Sequence, residues 1–233
     1  VESLIPVHHY GKLDEEKELA KGEAYYLMGV KKLAESGDDV TALCELAIQA
    51  QTLKRYEEAI DLWRRTLRLN PQIPLAHLNL SGIFIDLERF DEGLVAAKRA
   101  CDLQPGLKEA SYNLALCEMY VGDVTHMVSL LDALVKRYPD YPAARIMLAI
   151  GSLFAGNQRR AAELFSQLST LNIDLQNPLA AFARKLSRVG RDNYAQALCQ
   201  MAEEAGIMRP AAAMGSDGFV HGQNPPGERL ALS

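Results

Sequence analysis

The feature that most restricts this chain is a spacing. Pro71, Pro105 and Pro139 stand 34 residues apart, and so do Gly122, Gly156 and Gly190. Two residue types keeping one period indicate an internal repeat, and periods of about 20 to 50 residues mean stacked supersecondary units. Placing proline at position 32 divides the chain into five units: 40–73, 74–107, 108–141, 142–175 and 176–209.

The columns of this frame carry a packing pattern. Position 7 is large and apolar (Leu46, Leu80, Leu114, Leu148, Phe182), and position 8 is small (Ala47, Ser81, Ala115, Ala149, Ala183). Position 20 is small in four of five units, as Ala59, Gly93, Ala161 and Ala195, with Met127 the exception. A bulky side chain beside a small one, met by a second small residue further on, lets two helices interlock at close range. Residues 40–53 carry apolar side chains at helical spacing. Lys54-Arg55, or a glycine in later units, interrupts the run, and Tyr56-Glu57-Glu58-Ala59 restarts it. Asn70-Pro71, Gln104-Pro105 and Tyr138-Pro139 close the second run, because proline lacks an N–H and pushes its predecessor out of the α region. Each unit is therefore predicted to be a pair of antiparallel helices.

This pattern resembles the tetratricopeptide repeat family. The unit 40–73 carries it most fully, with Leu46-Ala47, Tyr56, Ala59, Trp63 and Pro71. The resemblance covers roughly residues 40–205 and weakens in the fifth unit, which keeps Phe182-Ala183, Gly190 and Ala195 but has Ile207 where proline should stand. Terminal repeats cap a stack, so a degraded last unit is expected. The fold implied is all-α, a right-handed superhelical solenoid of antiparallel helix pairs.

Two stretches flank the repeats. Residues 14–36, within the segment 14–39, read as one long charged helix ending at Gly37-Asp38-Asp39. Its apolar stripe is Ala20, Ala24, Leu27 and Met28, its wet side has Lys31 and Lys32, and it is expected to cover the open side of the first unit. After Gly206 the chain turns to Gly, Pro, Ala and Ser through Asn224-Pro225-Pro226-Gly227, and 208–233 is expected to be a disordered tail.

Composition removes several function classes. Lys and Arg total 25 against 30 Asp and Glu, a balance that argues against a nucleic-acid partner. No apolar run approaches the ~20 residues of a membrane span, so no membrane insertion is expected. Cys44, Cys101, Cys117 and Cys199 form no Cys-x-x-Cys pair and read as reduced core thiols in a cytoplasmic protein. Neither Gly-x-x-x-x-Gly-Lys nor Gly-x-Gly-x-x-Gly occurs, no Asp-x-Asp occurs, and His77, His126 and His221 are solitary. No catalytic residue, metal or cofactor is expected. Asn79-Leu80-Ser81 satisfies the glycosylation pattern but falls inside a predicted helix and is discounted.

Function is expected from the stack itself, which places the first helix of each unit on a concave face. In the family, positions 2, 5, 6, 9, 12 and 13 tend to line it. Here they supply Leu75, Leu78, Ile85, Tyr112, Leu116, Met119, Ile146, Ile150, Leu153 and Phe154, followed by Arg184 and Arg188 in the fifth unit. The groove is expected to be apolar centrally and basic toward its end, an exposed strip suited to a protein or peptide partner. Asn79 and Asn113 share position 6, and an asparagine amide matches the donor and acceptor of an extended backbone. Members of the family that bind peptides use such asparagines as a ladder; here it has two rungs. Self-association, with the groove taking another copy's terminus, is a further expectation.

The segment 1–13 carries a second resemblance. Leu4-Ile5-Pro6-Val7-His8-His9-Tyr10-Gly11 is a short β-like run before a charged helix. It is similar to the closing segment of the family-two glycosyltransferase catalytic domain in bacterial proteins that carry these repeats behind it. The chain opens at Val1 and not at Met, which fits a larger parent. That resemblance implies a recruiting module behind a missing catalytic domain, with His9 as the histidine that helps close a sugar-nucleotide site.

Overall fold

A computed structural model describes residues 15–170 and 175–208. The β-like run with His9, His221 and the tail from residue 209 lie outside the described residues. Every element among the described residues is an α-helix: α1 (Glu15–Ser36), α2 (Val40–Thr52), α3 (Tyr56–Leu69), α4 (Pro74–Asp86), α5 (Phe90–Leu103), α6 (Lys108–Val121), α7 (Val124–Arg137), α8 (Pro142–Phe154), α9 (Gln158–Ser169), α10 (Gln176–Arg188) and α11 (Asp192–Glu204). First helices begin at Val40, Pro74, Lys108, Pro142 and Gln176, and second helices at Tyr56, Phe90, Val124, Gln158 and Asp192. Each start follows its predecessor by 34 residues.

The helix ends explain this regularity. Pro74 and Pro142 open α4 and α8 in the first turn, where a missing N–H costs nothing. Asp39 caps α2 by accepting from the Ala42 amide at 2.9 Å. Between the two helices of each pair one residue is left-handed: Lys54, Glu88, Gly122, Gly156 and Gly190, with φ of 57°, 60°, 118°, 79° and 76°. The next amide then reaches back five residues, from Arg55 to Ala50, Arg89 to Phe84, Asp123 to Glu118, Asn157 to Ser152 and Arg191 to Leu186, at 2.8–2.9 Å. That bond is the mark of a Schellman turn, and it sends the second helix back along the first.

The chain divides into two compact units, Val1–Leu164 and Phe165–Ser233. In the first, Leu46, Leu80, Leu114 and Leu148 are buried beside Ala47, Ser81, Ala115 and Ala149, and Trp63 is fully enclosed. Full burial of side chains of this size stabilises by about 1.5–3 kcal/mol each. Met127, the large residue in an otherwise small column, is accommodated by a glycine on the next helix. A Cβ built on Gly151 would stand 2.9 Å from the Met127 Cε. In the preceding pair the sizes are exchanged, with Gly93 facing the Cys117 Sγ. In the second unit α10 packs on α11 through Leu179, Leu186, Ala195 and Leu198.

Polar contacts repeat with the same period. Arg55 donates to Glu23 at 2.7 Å, and Arg89 donates to Glu57 at 3.5 Å one repeat later. Arg65 bonds Asp38, and Arg99 bonds Gln72 in the equivalent place. Such exposed pairs contribute little individually, and their recurrence at equivalent places follows the repeat.

The side of α1 that covers the first pair is not the stripe read from the sequence. Tyr26 and Leu33 are buried, and Gly22 and Gly29 lie against Leu53 and Leu46, so close that a Cβ on Gly29 would meet Leu46 Cδ1 at 2.9 Å. Ala20, Ala24, Leu27 and Met28 face outward. The two missing side chains let α1 settle closely on α2, and that approach decides the side chosen.

Candidate functional site

The candidate face lies within the first unit, on α4 and α6. Leu75 is 45% exposed at the start of α4, and Leu78, Asn79, Tyr112, Asn113 and Leu116 are half-buried along the two helices. The expected strip is shorter than the sequence indicates. Ile85, Met119, Ile146 and Ile150 have 3%, 1%, 3% and 1% of their surface exposed, so they belong to the interior. Ile85 and Met119 occupy the last turn of α4 and α6, where Phe84 and Cys117 are buried as well. From Ile146 to Leu153 α8 is apolar except for Ser152 and is buried at every residue, leaving Arg145 and Phe154 half-exposed on either side of that run. Arg184 and Arg188 are exposed on α10, in the second unit.

The two asparagines differ in their bonding. The Asn79 Nδ2 donates to the Leu75 carbonyl of its own helix at 3.0 Å. The Asn113 Nδ2 donates across to the Ser81 Oγ at 2.9 Å, and that hydroxyl donates to the Leu78 carbonyl at 2.6 Å. Each amide thus has a donor engaged within the protein. Each side-chain oxygen is an acceptor that suits the N–H groups of an extended backbone.

Beside them Tyr112 and Tyr141 meet at 5.6 Å between ring centres, tilted by 55°, with the Lys108 ammonium 5.4 Å from the Tyr141 ring. Burial pushes the Tyr141 phenol up to about 12 and raises that of Tyr112 as well. Both rings stay neutral, giving an aromatic surface with hydroxyl donors next to the half-exposed leucines.

Groups able to do chemistry are restrained elsewhere. Burial raises the thiols of Cys44, Cys101, Cys117 and Cys199, Cys117 to about 12, which removes the thiolate a nucleophile requires. Burial lowers His77, whose Nε2 lies 3.2 Å from the Pro71 carbonyl. His126 is not solitary, as its spacing suggested. Its Nδ1 is 2.8 Å from the Glu118 Oε1, and its amide donates to the Asp123 Oδ1 at 2.8 Å. The three side chains place ligand atoms within 4.8 Å of one another, close enough to hold a divalent cation, and they also close the α6–α7 turn. The signal in the sequence was Gly122, whose left-handed φ folds Glu118 back over His126.

This arrangement is the fold of the tetratricopeptide repeat: an all-α helical solenoid built from helix pairs of constant length. Among solved structures the chain is similar to YrrB, described as a tetratricopeptide repeat protein with an unusual peptide-binding site (TM-score 0.59, 13% identity, 76% of this chain and 91% of that one). It is also similar to MamA of Desulfovibrio magneticus RS-1 (0.57, 14%, 73% and 96%) and to pilF of Pseudomonas aeruginosa (0.58, 16%, 80% and 85%). Among curated proteins it is similar to the peroxisomal targeting signal receptors of Candida glabrata, 27% identical over 112 residues and 48% of this chain, and of Saccharomyces cerevisiae, 32% over 85 residues and 36%. The matched segments span 19% and 14% of those receptors' own lengths. No protein-family model matches the chain. No helix among the described residues is long and apolar enough to cross a membrane.

Proposed function

We propose that this chain is a non-catalytic scaffold that binds a protein or an extended peptide on the α4–α6 face. The reading rests on one observation, the half-exposed set Leu75, Leu78, Asn79, Tyr112, Asn113 and Leu116 on adjacent helices. Its apolar side chains would receive alternate side chains of the ligand while the Asn79 and Asn113 oxygens accept from its amides. The peptide-binding site named for YrrB and the receptor role named for the peroxisomal proteins support the same reading. In it, residues 40–207 act as five repeat units in the cytoplasm.

Selection of a displayed random-peptide library on the intact chain tests this. Peptides enriched on the parent should lose binding by about tenfold or more with Leu116→Glu, a change at a half-exposed position that leaves the fold intact. Equal binding by the variant refutes the assignment of the face. The other reading, a recruiting module of a bacterial family-two glycosyltransferase, draws on the resemblance at residues 4–11. Sequencing upstream of the codon for Val1 tests it: a frame encoding alternating strands and an Asp-x-Asp supports that reading, and a nearby start codon removes it.

A further inference from the structure

The repeat supplies its own control for α1. Counting back 34 residues from the start of α3 lands inside α1, and α1 occupies the place of a second helix: Glu23 meets Arg55 as Glu57 meets Arg89. In the other second helices of the first unit the outward face is polar. α3 presents Glu58, Asp61, Arg64 and Arg68 there, α5 has one apolar residue of four, Val95, and α7 has none. The equivalent residues of α1 are Ala24, Leu27, Val30 and Ala34, all apolar and all exposed, Leu27 at 62% and Val30 at 40%. Beside this stripe runs a cleft of about 560 Å³ between α1 and α3, with Val30, Leu33 and Ala34 on one wall and Glu57, Glu58 and Asp61 on the other.

We propose that this face of α1 is an interface between two copies of the chain, paired antiparallel about a two-fold axis at Leu27. The occupant follows from the pattern, which is complementary to itself. With Leu27 against Leu27 of the second copy, Ala20 falls opposite Ala34, Ala24 opposite Val30, and Glu23 opposite Lys31. A two-fold contact repeats every pair, so the Glu23–Lys31 match occurs twice. Glu23 already accepts from Arg55 and Lys31 lies 4.0 Å from Glu35, and both remain exposed enough to pair again. The alanines let the two backbones approach, and the leucines fill the centre. One helix pair is a small interface, so association is weak and depends on concentration. This inference is independent of the peptide-binding face, which lies on other helices.

Sedimentation equilibrium of the intact chain over a concentration series tests it. The parent should show reversible dimerisation. Leu27→Glu and, separately, Lys31→Glu should each raise the dissociation constant about tenfold or more, with unchanged circular dichroism because both side chains are exposed. In a cross-linking arm with a short bis-maleimide, Leu27→Cys should give covalent dimer above the parent background and Met28→Cys should not. A parent that stays monomeric, a Leu27→Glu variant that associates like the parent, or equal cross-linking at both positions overturns the proposal.

Discussion

Met127 and Gly151 are fitted to each other: the Met127 Cε lies 2.9 Å from where a Cβ on Gly151 would stand, and the Val128 Cγ2 lies 3.1 Å from it. The large residue in a column of small ones is therefore matched by a missing side chain on the neighbouring helix. Gly151→Leu should destabilise by about 1–3 kcal/mol through overpacking. In a chain that also carries Met127→Ala the loss should shrink, with a coupling of about 1 kcal/mol or more in a denaturant double-mutant cycle. Additive effects would show that the two residues pack independently.

The left-handed turns make a second prediction. Lys54 at φ 57° occupies a place that three later pairs give to glycine. A side chain there costs roughly 1–2 kcal/mol, partly offset by the greater freedom glycine has when unfolded. Lys54→Gly should therefore raise stability by about 0.5–1 kcal/mol, whereas Gly156→Ala should lower it by about 1 kcal/mol. Urea midpoints moving the other way would contradict the turn geometry.

The unequal asparagines give a third. Asn113→Ala removes a bond between α6 and α4 and should cost about 0.5–1.5 kcal/mol in thermal unfolding. Asn79→Ala removes a bond to its own helix and should be close to neutral. Equal losses would mean that the cross-helix bond carries no weight.

Acid should expose His77. Burial lowers its folded-state value below the ordinary 6.5, so the unfolded chain takes up a proton that the folded chain resists. The neutral, half-buried ring then contributes stability that is complete above about 6.5 and declines as pH falls below that value. Carboxylates held low by arginine, Asp38 by Arg65 and Glu92 by Arg89, add their losses at lower pH, below the ordinary carboxylate range. Melting temperatures measured from pH 7.5 downward should show an early decline that His77→Gln removes. An identical profile in the variant would assign the decline to another group.

Much of the architecture was legible because proline and glycine act locally at the boundaries: Pro71, Pro105 and Pro139 follow the second helices and Gly122, Gly156 and Gly190 turn between paired helices, so their common spacing marks where the helices begin. Packing between helices is a different kind of information. Nothing in the run Ile146 to Leu153 distinguishes a groove lining from a helix enclosed on all sides, and Ile85 and Met119 look the same in sequence whichever way they turn. His126 seemed isolated because Glu118 lies on the preceding helix, brought close only by the bend at Gly122. The covering side of α1 is hidden in the sequence for the opposite reason: glycines 22 and 29 add no hydrophobicity, yet they set how near the helix can come.

Among the described residues of the first unit, the extensive helix contacts join helices one or two places apart in the chain. Among the described residues no extensive contact ties one end of that row to the other. Unravelling should therefore start at an end and travel inward hairpin by hairpin, and amides of α4 and α5, flanked on both sides, should exchange with solvent last. A partner gripping α4 and α6 would clamp the most durable stretch, so its hold would outlast fraying at the margins.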